Sequence, residues 1–534
     1  MQSSQALSAT RLFRFLLLLS LVFPVYAAAQ NKGKAAKAPA KTGSPEAKAA
    51  RALEAARQNP LELRAFLVRM PKGADLHNHL SGAVYAESWI RAAVEDGLCV
   101  VTDSPSFAKP VQPAADKGSD PTCGDGRVPA SQALKNQRLY DDLVNAFSMR
   151  NFVPTPGFSG HDQFFVTFGR FGGTDPKHIG EWLDEVVTRA AGQNEQYMEL
   201  MATPAFNRGA AAARELGWHD DLKQFRDELL AHGLRDDIAS ARSYLDAAES
   251  RRRELEHCGE AGALPGCRVQ VRWVYQVSRG SAKEFVFAQA LTGFEIAAAE
   301  PRVVALNFVQ PEDSYTSMTD YALHMRMLDY LHSVYPSVHI TLHAGELAPG
   351  FVPPDGLCCH IRLAVDQGHA ERIGHGVDVM YEDRPFELLR AMAARHVMVE
   401  VNLTSNDAIL GVVGNDHPFP LYRKFGVPVA LSTDDEGVAR IDLTHEYVRA
   451  VRTYGLHYAD LKRMVRTGLE HSFLPGKSLW REPDVYTGLV PACAKDGLGA
   501  EKPSAACAAF LQASEKARQQ WELEHRFRVF EALY

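Results

Sequence analysis

The fold class of this protein is decided by residues 338–346, which read Val-His-Ile-Thr-Leu-His-Ala-Gly-Glu. The stretch begins with the apolar and β-branched side chains of a buried strand and ends in residues that can carry chemistry. His343 can hold a metal, Gly345 permits a sharp turn, and Glu346 can reach the same pocket from that turn. By itself the pattern favours an ordinary core strand that ends in a histidine, so its interpretation depends on the rest of the chain.

Seven other stretches have the composition of a strand, and helical patterns lie between most of them, for example at 281–299, 318–335, 383–395 and 440–454. Eight strand–helix units are what a (β/α)8 TIM barrel requires. The sequence therefore predicts an α/β protein of that class. The predicted strands are Ala74–His79, Gln196–Met201, Arg268–Gln276, Arg302–Phe308, Ser337–His343, Arg372–His375, Val397–Leu403 and Val427–Thr433.

The other segments are arranged around the predicted barrel, which spans residues 71–475. A helical pattern that starts near Pro45 predicts an N-terminal helical extension over residues 49–70. A segment rich in Pro, Asp and Gly predicts a small insertion after the first strand, at about residues 97–130. Residues 476–534 are predicted to form a C-terminal loop and helix. The apolar residues available for packing on that helix, Phe510–Tyr534, are Trp521, Phe527, Phe530 and Leu533.

The composition is that of a soluble globular protein. The 534 residues are 46% hydrophobic and 23% charged, and the chain is long enough for a large core. The formal net charge is −7 and there is no basic domain. These values argue against nucleic acid as the main partner.

The N-terminus has the pattern of a targeting segment. Two arginines precede the apolar run Phe15–Val25, and the small residues 27–29 follow it. This pattern predicts a secretory signal peptide over residues 1–29. The alternative, a membrane anchor, is disfavoured because the run is too short to span a bilayer. Residues 30–48 are predicted to be a flexible linker. We expect a secreted or periplasmic protein with no membrane segment after cleavage.

The eight cysteines fit an oxidising compartment. Six of them bracket short loops, and we predict a local disulfide around each loop. Two adjacent cysteines are left over, and the absence of a C-x-x-C motif argues against a thiolate zinc site. The predicted pairs are Cys99–Cys123, Cys258–Cys267 and Cys493–Cys507, and the remaining two are Cys358 and Cys359.

Candidate functional residues follow four of the predicted strands. The active site of a TIM barrel lies at the C-terminal ends of its strands, so these residues are predicted to meet. In the first strand the two histidines of an H-x-H pattern face the same way because residues two apart in a strand share a face. The first strand ends in His77 and His79, the fifth ends in His343 and is followed by Glu346, the sixth ends in His375, and Asp434 and Asp435 follow the eighth.

Three imidazoles and a carboxylate suit zinc, which lowers the pKa of a bound water to about 7. His375 is then placed to orient that water or to take its proton. Glu346 is free to protonate a substrate, and Asp435 to bind one. The ligands assigned to one zinc ion per chain are His77, His79, His343 and Asp434.

Residues 158–171 form an aromatic segment with several glycines between the predicted helices 131–151 and 178–193. Two interpretations of this segment stay open. It lines a substrate pocket, or it is a packed loop with no part in binding.

Taken together, these motifs resemble those of the adenosine deaminase family, in the same chain order and over roughly residues 60–475. The signal peptide and the insertion resemble the secreted growth-factor-type branch of that family. The motifs are Met-Pro-Lys-Gly-Ala-Asp-Leu-His-Asn-His-Leu at 70–80, His-Ala-Gly-Glu at 343–346, Arg-Ile-Gly-His-Gly at 372–376, Val-Glu-Val-Asn-Leu-Thr-Ser-Asn at 399–406, His-Pro-Phe-Pro at 417–420 and Ser-Thr-Asp-Asp at 432–435.

The resemblance implies a zinc enzyme that hydrolyses adenosine or 2′-deoxyadenosine to the inosine product and ammonia. It implies attack at carbon 6 of the purine and protonation of ring nitrogen 1 by Glu346. It also implies that Asp435 bonds ring nitrogen 7 and that His375 orients the attacking group. The resemblance also makes a homodimer an expectation.

Two positions depart from the family pattern. Ser81 stands where adenosine-specific members usually carry an Asp that meets the 5′-hydroxyl of the ribose. Gln310 stands where they usually carry a Gly whose backbone meets the purine. A substrate with a modified amino group, a 5′-substituent or a different sugar is therefore compatible with the sequence.

Three alternative functions make different demands on the sequence. A deaminase of the cytidine type needs H-x-E followed by P-C-x-x-C, and residues 369–371 supply only the first motif. An amidohydrolase of the same barrel type that acts on another amine or amide would not need Glu346 and Asp435 together. A secreted binding or signalling protein that uses the barrel as a scaffold would have no need for all seven candidate residues at once.

Overall fold

The computed structural model describes residues 43–116 and 119–534. The predicted signal peptide, and the predicted linker as far as residue 42, lie outside these residues. The first helix, Pro45–Ala56, begins where its sequence pattern starts, and the side chain of Ser44 caps it by accepting the N–H of Ala47. Among the described helices, none has the length and apolar character needed to cross a bilayer.

Eight parallel strands form one sheet, and each pairs with the next in chain order. The sheet closes through a parallel bridge between Asn78 in the first strand and Asp434 after the last. This arrangement is the predicted (β/α)8 TIM barrel. The strands are β1 Gly73–His79, β2 Glu195–Ala202, β3 Gln270–Ser278, β4 Val303–Val309, β5 His339–Ala344, β6 Arg372–His375, β7 Met398–Val401 and β8 Val429–Leu431.

All eight predicted strands are present, each with boundaries within two residues of those predicted, and β7 and β8 are shorter than predicted at both ends. β7 ends at Val401, before the predicted Leu403, because Leu403 begins a helix. β8 is confined to Val429–Leu431 because the chain then turns towards the first strand. That turn places Asp434, whose N–H donates to the carbonyl of His77 at 2.8 Å.

Helices surround the barrel. The helix Lys283–Ala299 is buried on nearly all sides from Val286 to Ile296, which explains its almost uniform apolar sequence. The helices are Pro45–Ala56, Pro60–Arg69, Leu80–Ala83, Ala86–Glu95, Gln137–Ala146, Gly160–Arg170, Ile179–Gly192, Arg208–Leu216, Leu222–Ala231, Asp236–Leu255, Lys283–Ala299, Tyr315–Val334, His360–Asp366, Pro385–Ala394, Leu403–Leu410, Phe419–Phe425, Glu436–Ala439, Leu443–Tyr454, Tyr458–Glu470, Ala505–Ala513 and Glu515–Glu531.

The predicted insertion is a small antiparallel sheet of three strands, Cys99–Val101, Ser106–Ala108 and Arg127–Pro129. Phe107 of this sheet packs against Phe147, with ring centroids 4.8 Å apart. Both belong to an apolar cluster that also contains Phe164. The insertion is thereby packed against the helix that carries Phe164.

All three predicted disulfides are present, and the two remaining cysteines are bonded to each other. The bonds are Cys99–Cys123, Cys258–Cys267, Cys493–Cys507 and Cys358–Cys359. The sequence reasoning left the last pair unassigned because it considered only cysteines that bracket a loop.

The prediction of a single C-terminal helix over Phe510–Tyr534 is wrong. Two helices meet at Ser514, whose hydroxyl accepts the N–H of Ala517 at 3.2 Å and caps the second helix. Trp521, Phe527 and Phe530 are buried as expected, but Leu533 is 54% exposed.

We expect the Cys99→Ser, Cys123→Ser double variant to lose about 3.5 kcal/mol of unfolding free energy, because the bond closes a loop of 24 residues in the unfolded chain. The matched variant without Cys258–Cys267 should lose less, about 2.5 kcal/mol, because its loop has 9 residues. Urea unfolding of the three proteins measures both values. An unchanged stability in the first variant would contradict a structural role for the bond.

Candidate metal centre and catalytic pocket

The four predicted metal ligands converge at the C-terminal end of the barrel. His77 and His79 come from β1, His343 from β5, and Asp434 from the turn after β8. The Nε2 atom of His79 lies 3.2 Å from Nε2 of His343 and 3.3 Å from Oδ1 of Asp434. The same Asp434 oxygen lies 3.5 Å from Nε2 of His77. The H-x-H pattern in β1 therefore points both rings into one site.

The chemistry of this site fits a divalent cation. Nε2 of His77 and Nε2 of His375 are buried and have no hydrogen-bond partner among the described residues. His375 belongs to the same cluster, with Nε2 3.9 Å from Oδ2 of Asp434. Imidazole nitrogens and a carboxylate oxygen form the donor set that zinc prefers. Gly374 makes room for this cluster, because a Cβ there would lie 2.6 Å from Cε1 of His77.

His77 is held by Glu400, a buried carboxylate on β7. Its Nδ1 lies 2.6 Å from one Glu400 oxygen, while Arg372 and Thr341 donate to the other at 2.6 and 2.9 Å. Burial alone would lower the pKa of His77, but the neighbouring carboxylates of Asp434 and Glu400 outweigh it and raise that pKa to about 10. The sequence reasoning missed the role of Glu400. An acid within a buried strand is its signal, because a buried charge must be paired.

The other two histidines have partners of the same kind. Nδ1 of His79 donates to Oε1 of Gln276 at 2.6 Å. Nδ1 of His343 donates to Oδ1 of Asn307 at 2.9 Å. These bonds leave both Nε2 atoms free to face the site. Gln276 and Asn307 were also missed, although both lie near the C-terminal end of a strand and Asn307 interrupts an otherwise apolar one.

We expect Glu400→Gln to weaken metal binding by about 10–100-fold, because an amide supports the His77 ring less well than a carboxylate does. Thr341→Val is the matched control, since it removes one bond to Glu400 but keeps the charge. Competition with a chelator measures the affinity of each variant. Equal affinities for wild type and Glu400→Gln would show that this carboxylate does not support the ligand.

Asp434 adopts a backbone conformation that is uncommon for its residue type. Its φ is +58°, and that of His375 is +70°. Such strained residues persist where the surrounding structure fixes them, and they cluster at functional sites. Burial raises the pKa of Asp434, but His77 and His375 outweigh that effect and hold the pKa well below its usual range. The side chain is thereby kept as an anion.

Glu346 lies in the turn after β5, with Oε1 3.5 Å from Nδ1 of His375. Burial, with smaller contributions from Asp434 and Glu312, raises the pKa of Glu346 well above its usual range. Glu312 also fixes the turn, because it accepts the backbone N–H groups of Gly345 and Glu346 at 3.0 and 2.8 Å. Glu346 is therefore a positioned carboxylic acid that can give up a proton. The role of Glu312 was missed by the sequence reasoning.

Asp435 lies beside the cluster, and its Oδ1 has no hydrogen-bond partner among the described residues. Burial raises its pKa well above the usual range, and the charge of Asp434 adds to this effect. Gly82 is required here, because a Cβ at that position would lie only 1.6 Å from Oδ1 of Asp435. A protonated Asp435 can donate a hydrogen bond to a ligand.

His79, His343, Glu346, Asp434 and Asp435 line a cavity of about 360 Å³. One wall consists of Phe164, Phe165 and Phe168 from the helix Gly160–Arg170. The segment is therefore a helix and not a loop, and it lines this cavity. The helix begins at a capping box in which Ser159 and Asp162 bond each other's backbone N–H groups.

Ser81 and Gln310 line the same cavity. Gln310 has a φ of +85°, in the region where a glycine is the usual residue. Its side-chain Oε1 accepts the N–H of Gly280 at 2.8 Å. The extra side chain is thus held by the backbone of the neighbouring loop.

The match to a known family covers the barrel from its second strand onward. Residues 185–480, more than half of the chain, match the family model described as adenosine deaminase. The adenosine deaminase of Escherichia coli (strain SMS-3-5 / SECEC) is 36% identical over 137 residues, which are 26% of this chain and 38% of that protein. The chain thus matches well under half of the length of this relative.

Two solved structures were also compared. An adenine deaminase from Arthrobacter aurescens has a TM-score of 0.49 and 16% identity, over 76% of this chain and 94% of that one. An N6-mAMP deaminase from arabidopsis has a TM-score of 0.49 and 20% identity, over 77% and 96%. At these values neither structure bears on the substrate or on the role of any residue.

Proposed function

The chain belongs to the adenosine deaminase family, and on that premise we propose that it is a zinc-dependent hydrolase that deaminates an uncharged aminopurine nucleoside. Adenosine and 2′-deoxyadenosine are the proposed substrates, and the inosine product and ammonia the products. One observation carries the proposal: the acid Glu346 and the carboxyl of Asp435 line one cavity with His79, His343 and Asp434, and His375 lies next to Glu346, with its Nδ1 3.5 Å from Oε1 of that acid.

His77, His79, His343 and Asp434 would hold the zinc ion. When bound, zinc supplies a water molecule whose pKa is lowered towards neutrality. Glu346 keeps its proton at neutral pH because it is buried, and it gives that proton to ring nitrogen 1 of the purine. Asp435 holds the base by donating a hydrogen bond to ring nitrogen 7. His375 orients the group that attacks carbon 6.

The cavity favours a nucleoside over a nucleotide. None of the described residues that line it is a lysine or an arginine, and its carboxylic acids are Glu346, Asp434 and Asp435. A 5′-phosphate would enter this site without a cationic partner, at a cost in desolvation and repulsion. The three phenylalanines offer an apolar wall for the base or for an apolar substituent.

We propose further that the protein is exported, to a periplasm or to the outside of the cell. The basic and apolar pattern of residues 1–29 supports this, and so do the four disulfides, which persist in oxidising compartments.

The proposed function is tested by ammonia release from the purified protein, with bound zinc quantified in the same sample. We expect turnover of adenosine and 2′-deoxyadenosine, and a kcat/KM at least ~100-fold lower for the 5′-monophosphate. Adenine, 5′-substituted adenosines and N6-methyl analogues complete the panel, with methylamine measured for the last. A preference for the monophosphate would contradict the proposed substrate class. Zinc without turnover of any compound would favour the scaffold interpretation.

A further inference from the structure

A chain of buried polar side chains lies on the Nδ1 side of His375. Asn406, at the start of the helix after β7, lies with Nδ2 2.9 Å from Nδ1 of His375. Its Oδ1 lies 3.0 Å from Nε2 of His417. All three residues are at most 2% exposed. The roles of donor and acceptor along this chain can be worked out from its far end.

The protonation of His417 determines which group donates in the bond between His417 and Asn406. Its Nδ1 accepts the backbone N–H of Phe419 at 3.1 Å, so that nitrogen carries no proton. Burial, with the charge of Arg449, lowers the pKa of His417 to about 4, so the ring is neutral. A neutral imidazole has one N–H, which must then be on Nε2. His417 therefore donates to Asn406.

The orientation of the Asn406 amide follows. Its oxygen accepts from His417, so its NH₂ group faces His375 and donates to Nδ1. The other neighbour of Nδ1 is Oε1 of Glu346, which lies farther away, at 3.5 Å. The bond from Asn406, at 2.9 Å, is therefore the one that leaves Nδ1 without a proton. The proton of a neutral His375 is then on Nε2, on the side of Asp434.

We propose that Asn406 and His417 are positioning residues that hold His375 in the Nε2–H tautomer, so that His375 meets the reacting group as a hydrogen-bond donor and not as a base. This inference rests on the proposed function of the same site. An Nε2 that carries a proton has no free lone pair. Of the two roles open to His375 from the sequence, orienting the attacking group and taking its proton, only the first fits this arrangement.

The tautomer is measured directly by NMR of the protein grown with isotope-labelled histidine, in its metal-loaded and metal-free forms. Long-range correlations between ring nitrogens and carbon-bound protons show which nitrogen is protonated, and His375→Gln identifies the signals of this ring. We expect a protonated Nε2 in the wild type. In Asn406→Asp a carboxylate faces Nδ1 and accepts from it, so we expect the proton to move there. A proton on Nδ1 in the wild type would overturn the proposal.

Kinetics supply the second measurement. A wrong histidine tautomer in a serine protease triad lowers kcat about 10⁴-fold, so we expect Asn406→Asp to lower kcat by at least ~10²-fold. Its KM and zinc content should stay within a factor of about three of the wild type. His417→Gln is the matched variant, because its amide can still donate to Asn406, and it should keep most of the kcat. A shifted tautomer with an unchanged kcat would overturn the positioning role.

The two proposals fail in different ways. A wild type without turnover would contradict the proposed function at once, before any variant is made. The protonation of the ring nitrogens would still decide for or against the role of Asn406. If Asn406→Asp does not fold, the wild-type spectrum alone gives that decision.

Discussion

Glu346→Gln is expected to lower kcat by about 10²–10⁴-fold while the fold and the zinc content stay unchanged. Glutamine has nearly the shape of a protonated glutamate and can make the same hydrogen bonds, but it has no acidic proton to give to the substrate. Glu346 is not one of the four proposed ligands, so metal binding should not change. Steady-state kinetics with metal analysis test both parts, and near-normal turnover would rule out Glu346 as the proton donor.

The stability of the same variant is expected to equal or exceed that of the wild type at neutral pH. The pKa of Glu346 is raised in the folded state, whereas in the unfolded chain it is about 4.3. Folding must therefore retain a proton that the unfolded chain releases, and the wild type loses stability as pH rises above the unfolded pKa. Glutamine has no such dependence. Melting temperatures of both proteins over a pH series measure the difference.

Glu312→Gln is the matched control, because Glu312 is a buried acid in contact with the same turn but with the opposite shift. Burial raises its pKa, but Arg279 and His360 outweigh that and lower it to about 2. A lowered pKa contributes stability that is present above the unfolded pKa and lost as pH falls towards 2. We therefore expect this control to be destabilised at neutral pH. If both substitutions changed the stability at neutral pH by the same amount, the pKa values of the two acids would not be shifted in opposite directions.

The fold and the reacting residues could be predicted because each of them has a local pattern. Strands of a parallel barrel are short apolar runs, and residues at their C-terminal ends meet at one edge whatever the register. The order of the strands alone therefore predicts that four residues meet at this edge, namely His77, His343, His375 and Asp434.

The residues that support the site could not be predicted in the same way. Glu400, Asn307 and Gln276 each bond a histidine on another strand. Such a contact depends on strand register and side-chain direction, which no local pattern specifies. Glu312 was missed for a related reason, since its partners are backbone N–H groups that have no sequence signal.

The aromatic helix Gly160–Arg170 shows another limit. Its segment contains glycines and is rich in aromatic residues, which are weak helix formers, so intrinsic propensity favours a loop. The helix is stabilised instead by the packing of Phe164 in the apolar cluster that includes Phe107 of the insertion, and by the capping box at Ser159. The wall of the pocket is therefore set by tertiary contacts.

Asp434→Ala is expected to lose zinc as well as activity. Asp434 is the only carboxylate among the four proposed ligands, and its Oδ1 lies within 3.5 Å of Nε2 of both His77 and His79. Without it, the site offers neutral imidazoles and no charge to offset that of a divalent cation. Loss of a partner that only supports a ligand costs about 10–100-fold in affinity, so loss of the ligand itself should cost more than ~100-fold.

Asp435→Asn separates this loss from a general effect of removing an acid from the site. Asp435 is adjacent in sequence and equally buried, but it is proposed to bind the base and not the metal. We expect this control to keep zinc after dialysis and to show a raised KM, whereas Asp434→Ala loses the metal under the same conditions. Metal analysis of both dialysed variants measures the contrast. Full zinc occupancy in Asp434→Ala would assign the fourth ligand elsewhere, and His375, whose Nε2 lies 3.9 Å from Oδ2 of Asp434, would be the residue to test next.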